Sequence, residues 1–401
     1  MRKGKKPSVS SQVNSNGSVK KQGEQASGKK RKIFEIQQAL NSDPVDIQIL
    51  RKTARTVGGL LTDDIRRKVW PKLLSINIYD LPAKPDKDIR EGHKDFNQVL
   101  LDVRRSMRRF PKGMRDDQRE VLQEQLIDII LCILKRNPQL HYYQGYHDIV
   151  VTFLLVVGER MSIAMVEMLS THHLRDFMDP TMDSTKHILN YLMPILQDVD
   201  QDLHDFMCRA EVGTIFALSW LITWYGHVLT DFRHVLRLYD FFLASHPLMA
   251  IYFAAVIVLH RKREVMNCDC DMASIHQLLS QIPQDLPYEN LICRAHELFT
   301  RFPPSLIAKR AAHQPQKSIT MSSFGDFQMA TLQQRPDAIL QRQTREKIPS
   351  DVAAFDESVA QGTSQIVKMA VWAISATLGA TALAVAQTAL DWAPEFLLQL
   401  F

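Results

Sequence analysis

Residues 119–135 read Arg119-Glu120-Val121-Leu122-Gln123-Glu124-Gln125-Leu126-Ile127-Asp128-Ile129-Ile130-Leu131-Cys132-Ile133-Leu134-Lys135. The large apolar residues recur at helical spacing and nearly encircle the axis, which predicts a helix buried on most of its surface. Asn137-Pro138 stops it, because proline lacks the backbone donor that a continuing helix needs. Working outward, the same period returns. Ile33, Ile36, Ala39 and Leu40 fall on one helical face. Thr62-Asp63-Asp64 is a helix start ahead of Ile65, Val69, Leu73 and Leu74. Residues 146–157, 186–197, 211–229 and 272–281 also read as helices. No run of period-two strands and no fixed-period repeat occurs, and glycine is scarce, at 15 of 401 residues. The expected fold is all-α: a single irregular multi-helix domain over residues 33–305.

Composition is that of a globular protein, with 45% hydrophobic and 23% charged residues. The net charge of +5 is unevenly spread: residues 1–32 carry +9, leaving −4 for the rest. That basic tail has almost no large apolar residue and is expected to be disordered. It serves either to solubilise the chain or to bind anionic lipid or nucleic acid. The acidic remainder argues against nucleic acid, and none is expected as a partner. The five cysteines, Cys132, Cys208, Cys268, Cys270 and Cys293, are odd in number and fit a reducing cytosol. Cys268-Asp269-Cys270-Asp271 lacks a second pair, so no metal is expected there. His172-His173-Leu174-Arg175-Asp176 has no third ligand at helical spacing and reads as structural. Neither Gly-x-x-x-x-Gly-Lys nor Gly-x-Gly-x-x-Gly is present, so the chain should not bind a nucleotide unaided.

After Pro303-Pro304 the character changes. Residues 306–365 are polar and read as a linker with a loose helix near Phe327–Gln343. Residues 366–390 include an uncharged run from Met369 to Leu390, long enough to cross roughly 30 Å of hydrocarbon. Trp372 and Trp392 stand near its ends. A transmembrane helix is expected here, followed by a short lumenal tail at 391–401. The other reading is an amphipathic or buried helix. Arg342, Arg345, Lys347 and Lys368 lie upstream and put that side in the cytosol. A second apolar run, Leu238 to Leu259, contains Asp240 and His246-Pro247 and reads as two core helices broken at Ser245-His246-Pro247.

Two short segments carry chemistry. Val99-Leu100-Leu101-Asp102-Val103-Arg104-Arg105 places Val99, Asp102 and Arg105 on one helical face. Tyr142-Tyr143-Gln144-Gly145-Tyr146-His147-Asp148 follows the helix stop at Asn137-Pro138. An arginine can offset charge on a transferring phosphoryl group, and a neutral amide can orient an attacking water. Arg104 and Arg105 point about 100° apart and cannot both face one phosphate. Asp102 either positions the helix or its arginine, or forms a plain i,i+3 ion pair.

Val99-x-x-Asp102-x-x-Arg105 resembles the Ile-x-x-Asp-x-x-Arg motif of TBC-domain Rab GTPase-activating proteins, and Tyr142-Tyr143-Gln144-Gly145 resembles their Tyr-x-Gln-Gly motif. Gly59 with Arg66-x-x-x-Trp70 looks like the family's opening segment. Ser219–Tyr225 and Arg237–Leu243 look like its later Trp-rich and Arg-x-x-Asp-x-x-Leu segments. The resemblance covers roughly residues 59–305, with the motifs concentrated in 59–246. It implies that Arg105 is an arginine finger and Gln144 a glutamine finger, supplied in trans to a GTP-loaded Rab. Asp102, Tyr142 and Gly145 support them. The chain needs no cofactor of its own, since GTP and Mg²⁺ belong to the Rab, and it is an activator rather than an independent enzyme. Tyr146 and His147 depart from the family's Met-Asn continuation, while Asp148 keeps it. With its C-terminal apolar segment the arrangement resembles a membrane-anchored member of that family, which implies the endoplasmic reticulum and Rabs of the early secretory route. The alternative is a non-catalytic Rab-binding scaffold or tether with the same fold.

Overall fold

The computed structural model describes residues 16–106, 110, 113–311 and 318–347. In chain order these form α1 (Asn16–Asn41), α2 (Ile47–Arg55), α3 (Asp63–Leu73), α4 (Phe96–Arg105), α5 (Asp116–Arg136), α6 (Tyr146–Val157) and α7 (Glu159–Thr171). There follow α8 (Asp183–Leu189), α9 (Leu192–Val199), α10 (Gln201–Arg209), α11 (Leu218–Ile222), α12 (Phe232–Leu243) and α13 (Met249–His260). The last are α14 (Lys262–Met266), α15 (Met272–Ser280), α16 (Tyr288–Arg301), α17 (Pro304–Ala311), α18 (Ile319–Thr331) and α19 (Asp337–Glu346). No strand occurs among the described residues, so the fold is all-α. The chain divides into two compact units, Met1–Leu340 and Gln341–Phe401.

The core lies where the sequence is apolar all round. In α5 the buried residues run without a break from Ile129 to Leu134, and in α13 from Met249 to Val258. A helix buried on every side must be surrounded by others: α13 packs against α16 and α9, and α5 against α4, α6 and α7. The 238–259 run is indeed two core helices, α12 ending at Leu243 and α13 starting at Met249. The helix expected at 186–197 is split into α8 and α9, and the one expected at 211–229 yields only the short α11 between turns. Trp224 and Tyr225 break that second stretch, with φ of +44° and +63°. Their rings are buried against Tyr239 and Phe242, and that packing outweighs helix continuity.

Asp240, fully buried on α12, ties the start of the domain to its middle. It accepts from Leu60 N–H at 2.9 Å, Trp70 Nε1 at 2.8 Å, and both Nε and Nη2 of Arg66 at 3.0 Å. Gly59 has φ +55°, and a Cβ there would lie 2.4 Å from Asp240 Oδ2, so the chain can pass only without a side chain. One turn earlier on α12, Arg237 donates to Glu289 and to the carbonyls of Ala54, Arg55 and Thr56, closing the C-terminal end of α2.

Two expected boundaries are corrected. The basic tail was expected to be disordered to residue 32, but α1 already begins at Asn16. No proline separates that stretch from the amphipathic turns at Ile33 and Ile36, so the helix continues backwards through it. Lys32 Nζ donates to Val57 O at 2.9 Å. The linker expected from residue 306 likewise starts as structure. Proline sits at the first position of α17, where its missing donor costs nothing, and Ile307 and Ala311 are buried. Farther on, Asp176 accepts from Ile319 N–H at 3.1 Å, Thr320 N–H at 3.2 Å and the Ser318 hydroxyl. Phe324 and Phe327 of α18 are buried over the His173 ring, and Thr331 accepts from Arg51 at 3.0 Å. The segment looks like linker because its apolar residues are few. Phe324 and Phe327 share a buried face with Thr320 and Thr331, while Ile319 and Met329 stay exposed, and several polar groups are absorbed by hydrogen bonds to the domain. No described helix is long and apolar enough to cross a membrane; the helix expected at 366–390 lies outside the described residues.

Candidate functional site

Arg105 is the last residue of α4, and Gln144 lies in the turn that leads into α6; both side chains are exposed. Neither makes a side-chain hydrogen bond or ion pair to another described residue. Arg104 is exposed as well, so burial does not choose between the two arginines. A cation at a helix C-terminus sits favourably in the field of the helix carbonyls.

What lies beneath these side chains is fixed. Asp102, one turn before Arg105, is 1% exposed. Its Oδ1 accepts from Gln98 Nε2 at 3.1 Å and its Oδ2 from the Tyr142 hydroxyl at 3.0 Å. Its backbone carbonyl accepts from Ser106 Oγ at 2.8 Å, which satisfies a group that the helix end would otherwise orphan. Among the described residues Asp102 has no arginine or lysine partner, so of the two roles open to it the ion pair is not the one seen. It ties α4 to the turn, two residues before Gln144. Burial, then the Asp102 carboxylate, push the Tyr142 phenol far above its ordinary range and keep its proton in place.

The turn is held from the other side too. His141 N–H donates to Met178 O at 2.9 Å, and the Tyr143 hydroxyl to Ile222 O at 2.8 Å. Gly145 has φ +108° and caps α6; a Cβ there would lie 2.8 Å from Thr223 Cγ2. The Gly145 backbone therefore lies close against the Thr223 side chain of this same domain. Two residues on, His147 Nδ1 lies 3.2 Å from the Tyr142 oxygen. Asp148, 2% exposed, holds His227 Nδ1 at 3.1 Å. Gln98 stands one turn before Asp102 on α4, so helical spacing alone would have found it. Thr223, Ile222 and His227 join through tertiary packing and leave no local signal in the turn.

Elsewhere, His173 is buried beneath α18 and neither ring nitrogen has a described hydrogen-bond partner. It serves packing, as the sequence suggested. Among the described residues no group of three or more His, Cys, Asp or Glu side chains is arranged to hold a metal.

Known proteins are similar to this chain in sequence and fold. Residues 63–266 match the family described as RabGAP-TBC, the Rab-GTPase-TBC domain. The chain is 66% identical to TBC1 domain family member 20 of Bos taurus over 93% of each chain, and equally to that of Homo sapiens. It is 31% identical to GTPase-activating protein gyp10 of Schizosaccharomyces pombe, over 63% of this chain and 68% of that one. The crystal structure of the Ypt/Rab-GAP domain of Gyp1p shares the fold at TM-score 0.52 and 15% identity, covering 68% of this chain and 97% of that one. The family match takes in α3 through α14 and with them both exposed side chains and the Asp102–Tyr142 bond beneath, and the chain belongs to the TBC-domain family of Rab GTPase-activating proteins.

Proposed function

We propose that this protein accelerates GTP hydrolysis by Rab GTPases, with Arg105 and Gln144 both entering the partner's nucleotide site. One observation carries the reading: both side chains are exposed and bond to no described residue, while the segments that bear them are joined underneath by the part-buried Asp102–Tyr142 bond. A guanidinium offsets charge that develops on the γ-phosphoryl oxygens. A carboxamide accepts from a water through its oxygen and donates through its nitrogen without adding negative charge beside the phosphate. Arg105, three residues beyond Asp102, takes the first role, and Gln144 the second. GTP and Mg²⁺ come with the Rab.

The uncharged run at 369–390 supports a C-terminal membrane anchor with the TBC domain on the cytosolic side. Anchoring would concentrate the domain over membrane-bound Rabs. A moderately apolar span suits the thinner membranes of the endoplasmic reticulum, which favours Rabs of the early secretory route.

Single-turnover phosphate release from a panel of GTP-loaded Rabs tests the assignment. Arg105→Ala should reduce acceleration by about 10³-fold or more, and Gln144→Ala should also abolish most of it, both with unchanged thermal unfolding. Normal stimulation by either variant overturns the two-residue assignment. Rab binding by the wild type without acceleration of any Rab would make the protein a scaffold.

A further inference from the structure

The hydrogen-bond arithmetic at the base of the Gln144 turn singles out His147, and this inference rests on the function just proposed. Tyr142 has one hydroxyl hydrogen. The Asp102 carboxylate, which can only accept, takes it at 3.0 Å. The Tyr142 oxygen is then left as an acceptor toward His147 Nδ1 at 3.2 Å, and that nitrogen must carry the proton. His147 is 7% exposed and is the second residue of α6. Tyr142 stands two residues before Gln144 and His147 three after it, so the bond between them closes a six-residue arch with Gln144 near its crown. Both ends of the arch are then referred to Asp102, on the helix that carries Arg105. On its far side the imidazole has Nε2 at 3.8 Å from Asp148 Oδ2, a carboxylate that His227 also holds.

We propose that His147 is a positioning residue for GTP hydrolysis. Its Nδ1–H holds the Tyr142 oxygen so that the Gln144 turn keeps its register with Arg105. His147 touches neither nucleotide nor Rab; it acts through Tyr142. The donor's place matters more than the ring. An asparagine side chain presents its amide nitrogen close to where Nδ1 stands, whereas a glutamine presents it nearer to Nε2, away from Tyr142.

Three variants and one cycle test this in the full-length protein, with single-turnover hydrolysis measured against Rab concentration. His147→Asn should stay within about threefold of wild type. His147→Gln and His147→Leu should lose about tenfold or more in the maximal rate, the scale of one displaced hydrogen bond, with the half-saturating Rab concentration unchanged. In a Tyr142→Phe background, which removes the accepting oxygen, His147→Leu should cost little further, because the two residues act as one unit. Equal rates for the Asn, Gln and Leu variants overturn the proposal, as does full additivity with Tyr142→Phe. A change confined to half-saturation would place His147 in Rab binding and also overturn it. Arg105→Ala, run alongside, separates the readings: if it kills acceleration while His147→Gln does not, the proposed function stands and the His147 inference falls.

Discussion

Arg66 and Asp240, 174 positions apart, meet through two parallel hydrogen bonds of 3.0 Å, with the carboxylate fully buried and the guanidinium nearly so. The same carboxylate also serves Trp70 Nε1 and Leu60 N–H. Four donors on one buried acid make it a junction between α3, the turn before it and α12. Removing the acid leaves the Arg66 guanidinium with only the part-exposed Asp63, which it also holds at 2.8 Å, and takes the acceptor from Trp70 and Leu60, so Asp240→Ala should cost about 3–5 kcal/mol, a large share of the 5–15 kcal/mol typical of whole domains. The paired replacement Arg66→Met with Asp240→Leu should recover only part of this. It removes both charges but leaves the indole N–H and the Leu60 N–H without an acceptor, at about 1–3 kcal/mol each. Urea unfolding midpoints of the two variants check both statements, and full recovery in the double variant would mean that the Trp70 and Leu60 bonds carry nothing.

Gly145 gives a second prediction, because two separate costs fall on one substitution. Alanine there meets Thr223 Cγ2 at 2.8 Å and must also adopt φ near +108°. The left-handed backbone alone costs roughly 1–2 kcal/mol. Gly145→Ala should therefore lower stability and shift the turn, with loss of GTPase acceleration. Adding Thr223→Ser deletes the clashing methyl while keeping the hydroxyl that donates to Ser219 O and accepts from His227 N–H. The double variant should recover the part due to the clash and not the part due to φ. A thermal unfolding series with matched phosphate-release rates measures the two parts.

These two sites also mark how far the sequence could be read. Helical period located α3, α5, α6, α12 and α13, because their apolar stripes are long and their boundaries are marked by Thr62 at a start and by Pro138 and Pro247 at breaks. It also placed Val99, Asp102 and Arg105 on one face. What it could not reach was pairing across distance. Nothing local in Thr223 announces contact with Gly145, and nothing in Asp240 announces four donors. Composition misjudged α18 for a similar reason: Ser318, Thr320 and Gln334 look like linker until Asp176 and Lys72 supply partners. The break at Trp224-Tyr225 was hidden because aromatic residues fit a helix pattern, and only their packing against Tyr239 and Phe242 sets the positive φ.

His173 lies where α18 crosses the domain, 3% exposed, with Phe324 and Phe327 edge-on to its ring. Burial, reinforced by His172, His246 and Arg51, pushes its pKa down from the ordinary 6.5 to about 3. The folded state therefore keeps this imidazole neutral, while the unfolded chain binds a proton below pH 6.5. Between those values the unfolded state holds more protons, so stability is fully present above pH 6.5 and falls as the solution is acidified toward pH 3. His246 is shifted the same way by burial, to about 4, and adds to the slope. A single site of this kind contributes up to about 1.4 kcal/mol per pH unit. His173→Leu, close in volume and unable to titrate, should flatten the dependence of unfolding free energy on pH between about 6 and 4 by roughly that slope. It should leave stability at pH 8 little changed or improved, since the native ring nitrogens have no partner to lose. Urea unfolding of wild type and variant across that range reads the difference directly, and parallel curves would mean that His173 is reached by solvent protons in the folded state.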